Sequence, residues 1–351
     1  MTTHYKHLFG PVPSRRLGLS LGVDLVPFKT CSFDCIFCQL GRTTNQTIQR
    51  REYVPVEEVI QELAEWSKTD YTADFITLSG SGEPTLNSEF GQVMDFVKST
   101  FRTPLALLTN GSLLSDPEVR RDAKKADVLK ISLSAFDQSS FEHINRPHQE
   151  LDLKRMLEGI MLMRKEFHGE IWMEVFLVWG TNTTVNDVSH IASLVKEIGP
   201  DKIQLNTAVR PPCEDYAYAV PPDMMPGLSQ LFEPHAEVIA DYSSKTIAHM
   251  SADEDKIMQL LQRRPCTIDQ ICQGFGLHRN EASKYIGKLL RNKQIKQYHQ
   301  DDSIYYIGAK NAEAEIPKRK PAGSSTIGVP ASPSSSTSSS SSKNDRLHKT
   351  G

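Results

Sequence analysis

From about residue 17 to about residue 206 the chain alternates between short apolar runs and longer segments with helical spacing. The runs at 17–25, 75–78, 104–108, 128–133, 171–178 and 202–205 are too short for helices and read as strands. Between them, 56–66 places Val59, Ile60, Leu63 and Trp66 on one helical face, and 90–97, 115–124, 151–167 and 188–198 read as helices too, 115–124 with a Ser or Asp cap. Repeated strand–helix units predict a parallel sheet with helices outside it. Six units fall short of the eight of a closed barrel. A partial, open barrel and a doubly wound sheet both fit, and in both the functional residues gather at the C-terminal ends of the strands.

Pro211-Pro212 and Pro221-Pro222 break the rhythm, and 223–240 has a helical pattern that would cap the sheet. A polar stretch at 242–251 reads as a linker. Beyond it, 253–262 carries Ile257, Leu260 and Leu261. Thr267 caps a short helix, 274–277 turns, 280–291 carries Ala282, Ile286, Leu289 and Leu290, and 295–298 pairs with 304–307 as a hairpin. That order is the pattern of a winged helix-turn-helix. From about Pro317 the chain is Ser, Thr, Pro and Lys, too poor in apolar residues to order itself. The expected domains are residues 1–245, 246–310 and a disordered tail, 311–351.

Composition narrows the function classes. With 38% hydrophobic and 24% charged residues the chain is of ordinary globular type, and its net charge of −3 offers no global attraction to nucleic acid or anionic membranes. No apolar run approaches the roughly 20 residues of a membrane helix, and residues 1–7 lack a signal peptide's apolar centre. No disulfide framework is suggested by six cysteines in 351 residues, so a cytoplasmic home is expected.

Three of those cysteines, Cys31, Cys35 and Cys38, form CxxxCxxC in one short loop after the first strand, with Cys213, Cys266 and Cys272 scattered later. Structural zinc sites take four ligands, commonly as two separated pairs, and ferredoxin-type clusters take four thiolates. Three thiolates in one loop can hold three irons of a cubane and leave the fourth open; zinc on three Cys and a remote His, or simply three free thiols, are the alternatives. The second motif, Ser79-Gly-Ser-Gly-Glu-Pro-Thr-Leu86, follows the second strand. Its glycines, Gly82 among them, let backbone approach a ligand, and Glu83 can accept from an ammonium.

CxxxCxxC with an aromatic residue before its last cysteine resembles the signature of the radical S-adenosylmethionine (SAM) superfamily. The whole stretch from about residue 5 to 245 is similar to an uncharacterised iron–sulfur oxidoreductase subfamily, distantly like the wyosine-forming tRNA enzymes. The resemblance implies a partial (β/α)6 TIM-like barrel, a [4Fe–4S] cluster on Cys31, Cys35 and Cys38, and SAM on the open iron. It implies reductive cleavage to a 5′-deoxyadenosyl radical that abstracts hydrogen from a substrate, with ferredoxin or flavodoxin as electron donor. By the same resemblance Phe37 would lie against the adenine, and Gly82 and Glu83 would hold the SAM amino group. Ser132 and Ser134 match positions that contact the ribose or carboxylate, where the alternative is ordinary strand-end hydroxyls. Arg146 could fork onto the SAM carboxylate or be a surface arginine. Asn110 ends the third strand at the cofactor edge or is a turn residue before Gly111, and Asn206 could face adenine or substrate. The Gly-x-Ile-x-Gly adenine motif of many relatives is absent, 172–179 standing in its place.

Two arginines, Arg15 and Arg16, precede the first strand, where they could bind an anion or support the loop. In the C-terminal unit His278, Arg279, Lys284, Lys288, Arg291 and Lys293 lie on or beside the candidate recognition helix. They could contact nucleic acid phosphates, or form the solvated face of a protein-contact or structural unit. RNA or another macromolecule is the expected substrate. The competing class is an iron–sulfur redox sensor that regulates transcription by binding DNA through the winged helix.

Overall fold

The computed structural model describes residues 5–239, 254–300 and 303–309. The expected linker at 242–251 and the tail from 311 lie outside the described residues. The described residues all fall within one compact unit.

Two antiparallel strands come first, β1 (Leu8–Ser14) and β2 (Gly18–Val23). Two-residue strands β3 (Thr30–Cys31) and β4 (Asn45–Gln46) clamp the cysteine loop. The repeating units follow: α1 (Val56–Trp66), β5 (Phe75–Leu78), α2 (Phe90–Thr100), β6 (Leu105–Thr109), α3 (Pro117–Ala123), β7 (Val128–Ser132), α4 (Gln138–Ile144), α5 (Leu153–Glu166), β8 (Glu170–Leu177), α6 (Val185–Ile198) and β9 (Lys202–Thr207). A short helix α7 (Met225–Ser229) leads to β10 (Glu237–Val238).

The eight strands lie in the order β1-β2-β5-β6-β7-β8-β9-β10, all parallel except β1 against β2. From β2 onward each new strand joins on the same side of the last. Right-handed crossovers then send every connecting helix to one face. The doubly wound alternative needs a reversal of strand order and is excluded. Alternate residues divide accordingly. Ile76, Leu78, Leu105, Leu107, Leu129, Ile131, Met173, Val175, Ile203 and Leu205 belong to the main apolar core. The opposite face has a small apolar floor of Leu17, Ala106, Val128 and Trp172, with Phe75 and Leu108 against it. Farther along the same strands this face carries Lys130, Ser132, Glu174 and Asn206.

Three elements depart from the sequence expectation. β1 has no counterpart there because Pro11 and Pro13 argue against a strand, yet an edge strand tolerates prolines that a central one does not. α4 is short and is set by the Asp137–Ser140 capping box rather than by apolar periodicity. The helix expected over 223–240 is corrected to α7 and β10. Pro226 sits in the first turn of α7, where proline is accepted, but Pro234 lacks the N–H that a continuing helix would need.

The C-terminal segment forms α8 (Glu254–Arg263), α9 (Ile268–Phe275), α10 (Arg279–Arg291) and an antiparallel hairpin, β11 (Ile295–Gln300) and β12 (Ser303–Gly308). Thr267 and Gln270 form a capping box for α9, and Gly276 ends it in the left-handed conformation. Ile257, Leu260, Leu261, Ile271, Ile286 and Leu289 make its core, which Val12 of β1 enters and Phe9 flanks. Arg264 donates to the Pro13 carbonyl at 2.8 Å, and Arg263 pairs with Asp24 at 2.5 Å. Among the described residues no helix is long and apolar enough to cross a membrane.

Candidate functional site

Strands β2 and β5 to β9 all end on the same edge of the sheet, so residues distant in sequence meet there. The cysteine loop leaves β2 and is strapped on two sides. Toward β5, the Lys29 amide donates to the Ser81 carbonyl at 2.7 Å and the Glu83 amide donates to the Thr30 carbonyl at 3.1 Å. A Cβ at Gly82 would stand 1.8 Å from the Thr30 oxygen, so only glycine permits this approach. Toward α4, the Asp34 amide donates to Asn145 and Arg146 carbonyls, the Ile36 amide to the Ile144 carbonyl, and the His148 amide to the Ser32 carbonyl. Phe33, buried edge-on against Phe141 at 5.3 Å, anchors that side. Within the loop the Cys38 amide donates to the Cys35 carbonyl at 3.1 Å, which sets the tight turn between them.

The three thiols are free and unpaired with one another. Each has a donor aimed at its sulfur: Asn110 Nδ2 at Cys31 (3.6 Å), Asn145 Nδ2 at Cys35 (3.5 Å) and Lys29 Nζ at Cys38 (3.2 Å). Burial pushes the Cys31 thiol up to about 12, with the charge of Glu83 adding to the rise, and burial also raises Cys35. Burial alone would lower the Lys29 ammonium; the sulfurs of Cys38, Cys31 and Cys35 outweigh it and hold Lys29 above its ordinary value. One buried ammonium therefore faces three half-buried thiols. Ionising Cys31 and Cys35 requires further positive charge, which a metal centre supplies by displacing their protons. Among the described residues no three His, Cys, Asp or Glu side chains converge as one metal ion would require. A cubane asks for something else, one thiolate per iron corner, and the donor set fits that demand.

Glu83 is buried and accepts four hydrogen bonds. Thr85 N, Thr85 Oγ1 and Thr109 Oγ1 donate to Oε1, and Asn110 N donates to Oε2 at 2.7 Å. Burial nevertheless raises its carboxyl above the ordinary value. Oε2 keeps room for a second donor. Asn110 is thus a link, its backbone on Glu83 and its side chain on Ser32 Oγ (2.8 Å) and Cys31.

The other expected residues divide. Phe37 stacks on Phe176 of β8, ring centres 4.0 Å apart. Ser132 stands half-buried at the end of β7, whereas Ser134 is buried and its Oγ accepts from the Phe176 amide at 3.2 Å. Arg146 is engaged by the chain itself, with Glu214 Oε1 at 2.7 Å and Tyr216 OH at 2.8 Å. Asn206 is buried, its Nδ2 donating to Glu174 Oε1 at 3.1 Å.

Residues outside the sequence reading also belong here. Glu174 pairs with both Lys130 and Arg16 in a buried network. Burial would raise Glu174, but Arg16 and Lys130 hold it down at about 2; burial, then Arg16, lowers Lys130 to about 7. We take Glu174 as ionised, since two cations face its one carboxylate. The signal for this pair was a charge in the middle of each of two largely apolar strands. Lys29 and Asn145 had no spacing signal. Cys213, remote in sequence, is buried and close enough to Cys38 for their charges to interact, and burial pushes its thiol up to about 12.

The sequence profile of the radical SAM superfamily matches residues 25–195, the stretch that holds the cysteine loop, Glu83 and strands β5 to β8. This chain belongs to the radical SAM superfamily, whose members are generally enzymes that use a [4Fe–4S] cluster and SAM. A UPF0026 protein of Synechocystis is 36% identical over 214 residues, covering 60% of this chain and 78% of that protein. A UPF0026 protein of Helicobacter pylori is 31% identical over 293 residues, covering 82% of this chain and 93% of that protein. A protein of Brachyspira hyodysenteriae named GTPase Obg is 35% identical over 297 residues; the match covers 83% of this chain but spans only 44% of that longer protein. Among solved structures, a radical SAM methyltransferase from Sphaerobacter thermophilus aligns with a TM-score of 0.49 at 16% identity, covering 62% of this chain and 65% of that one.

Proposed function

We propose that this protein is a radical SAM enzyme, with Cys31, Cys35 and Cys38 holding three irons of a [4Fe–4S] cluster and SAM binding the fourth. When bound, the cluster supplies an electron that cleaves SAM to methionine and a 5′-deoxyadenosyl radical, the reagent that takes hydrogen from a substrate. The chain's part is to bind, orient and exclude water. Lys29, Asn110 and Asn145 steady the thiolates. Glu83 Oε2 accepts from the SAM ammonium, and the backbone bonds from Lys29 and Glu83 fix that carboxylate relative to the loop. Phe37, on Phe176, offers a flat apolar surface to the adenine. Ser132 and Asn206 are the remaining polar groups for the cofactor's sugar or the substrate. Gly82 serves by close packing on Thr30, Ser134 by fixing Phe176, and Arg146 by binding Glu214 behind the loop.

The observation that carries this reading is the set of three half-buried thiols in one loop, each with its own N–H donor, one of them the buried Lys29 ammonium. Anaerobic reconstitution, reduction with dithionite and addition of SAM is the test, read as 5′-deoxyadenosine formed. A confirmed four-iron cluster that yields none would overturn the reading. Cleavage that persists in Cys35→Ala would show that the loop is not the cluster site.

The finer features extend the same proposal. Sheet and helices form a partial (β/α)6 barrel, and 254–309 is a winged helix. Lys284, Arg291, Lys293 and Lys296 are exposed on and beside α10 and suit contact with an RNA substrate. Radical SAM enzymes typically draw electrons from flavodoxin or ferredoxin, and we assign such a donor and a cytoplasmic setting here. Electrophoretic shift of tRNA and DNA at stated salt tests the C-terminal unit. A shift of DNA alone would favour the regulator reading.

A further inference from the structure

The sheet face opposite the helices opens, beside Cys38, into a cavity of about 250 Å³. Among the described residues four arginines line it, Arg15, Arg16, Arg210 and Arg264, with Glu174 as the only lining carboxylate. Glu174 is already taken by Arg16, Lys130 and the Asn206 amide. The balance of the wall is therefore cationic although the chain as a whole carries a net charge of −3.

The wall is also unfinished. Arg16 Nε and Arg264 Nε are buried without a hydrogen-bond partner among the described residues. Asn206 is only 4% exposed, and with its nitrogen committed to Glu174 its Oδ1 is left without a partner as well. Buried donors and acceptors are almost always satisfied, by protein or by something bound. Arg16, Arg264 and Asn206 all line this one cavity, and cationic donors beside a neutral amide suit a ligand with a negative group and an adjoining hydroxyl or amine. A guanidinium fork matches carboxylate and phosphate alike.

We infer that this cavity binds a carboxylate or phosphate group of the molecule the enzyme transforms, held by Arg16 and Arg264, with Asn206 Oδ1 accepting from a neighbouring donor. The assignment to a substrate rests on the radical SAM reading; the anion site itself rests on the cavity wall. Arg264 comes from the loop after α8, so the C-terminal unit completes the site rather than hanging beside it. That gives the contacts of Arg264 with Pro13, and of Val12 with the core of that unit, a purpose beyond stability.

The test uses the full chain, reconstituted anaerobically, titrated calorimetrically with inorganic phosphate and with malonate against sodium chloride of matched ionic strength. Saturable binding of one or both is expected, and the stronger of the two names the group. Arg264→Gln should weaken it about tenfold or more, the loss of one charged hydrogen bond. Gln39→Glu, which adds a carboxylate to the same wall, should weaken it similarly and covers the case in which Arg264→Gln does not fold. Binding should persist in the presence of saturating SAM. No binding above the chloride control, unchanged affinity in both variants, or displacement by SAM would each overturn the inference, the last by giving the arginines to the cofactor. Failure of SAM cleavage with anion binding intact would instead sink the enzyme reading and leave an anion site.

Discussion

Ile131, Met173 and Leu205 point from three neighbouring strands toward the helices and are buried among side chains like themselves. Lys130, Glu174 and Asn206 stand one residue away on the same strands and point the opposite way, into charge, amide and cavity. The backbone treats the two sets alike; side-chain alternation separates them. The helix side needs only shape and apolar area, so any well-packed side chain serves. The other side needs particular atoms in particular places, and it holds its polar groups at a cost in stability that packing on the helix side offsets. A one-residue slip in register would exchange the two sets, which is why the apolar side also fixes where the polar side points.

Substitutions can break that contrast. The largest loss is expected for Glu174→Gln, which leaves Lys130 and Arg16 facing each other in a buried place. About 3–5 kcal/mol should be lost in denaturant unfolding, and adding Lys130→Met should restore much of it. The same variant carries a pH signature. Burial already lowers the Lys130 ammonium from its ordinary 10.5, and removing its anion lowers it further. The unfolded chain then binds the proton more tightly than the folded one, so the variant should lose stability as pH falls. A flat profile would mean that Lys130 finds another partner.

On the helix side Met173→Ala should cost about 2–5 kcal/mol through lost burial and the cavity left behind, with no dependence on pH. Glu83→Gln should leave iron content unchanged and weaken SAM binding roughly tenfold, as expected when a charged acceptor becomes neutral. Equilibrium dialysis of SAM against the reconstituted protein checks it. Least of all, Lys288→Ala removes an exposed pair with Glu254 and should change unfolding by less than about 1 kcal/mol.

The same contrast explains what could be read from the chain. Apart from α4, strand and helix positions between residues 56 and 207 followed from apolar periodicity, because that period is what the helix side requires. The cysteine loop and Glu83 were legible because their chemistry demands fixed residue types at short spacing. Arg16 and Asn206 were candidates one by one, but the cavity was not legible, since Arg16, Glu174, Asn206 and Arg264 come from separate segments and only the sheet order and the C-terminal unit bring them together. Asn145 on Cys35 was hidden for the same reason. β1 was missed because its prolines are acceptable only at an edge, and which strand is the edge is a property of the whole sheet.

The central claim is that the loop of Cys31, Cys35 and Cys38 leaves one iron open for SAM beside Glu83. Electron paramagnetic resonance of the reduced, reconstituted protein tests it most directly, recorded with and without SAM and repeated in Glu83→Gln. The account predicts that SAM alters the cluster signal in the wild type and that higher SAM concentrations are needed in the variant. A cluster signal that SAM leaves unchanged, in protein of confirmed four-iron content, would contradict it.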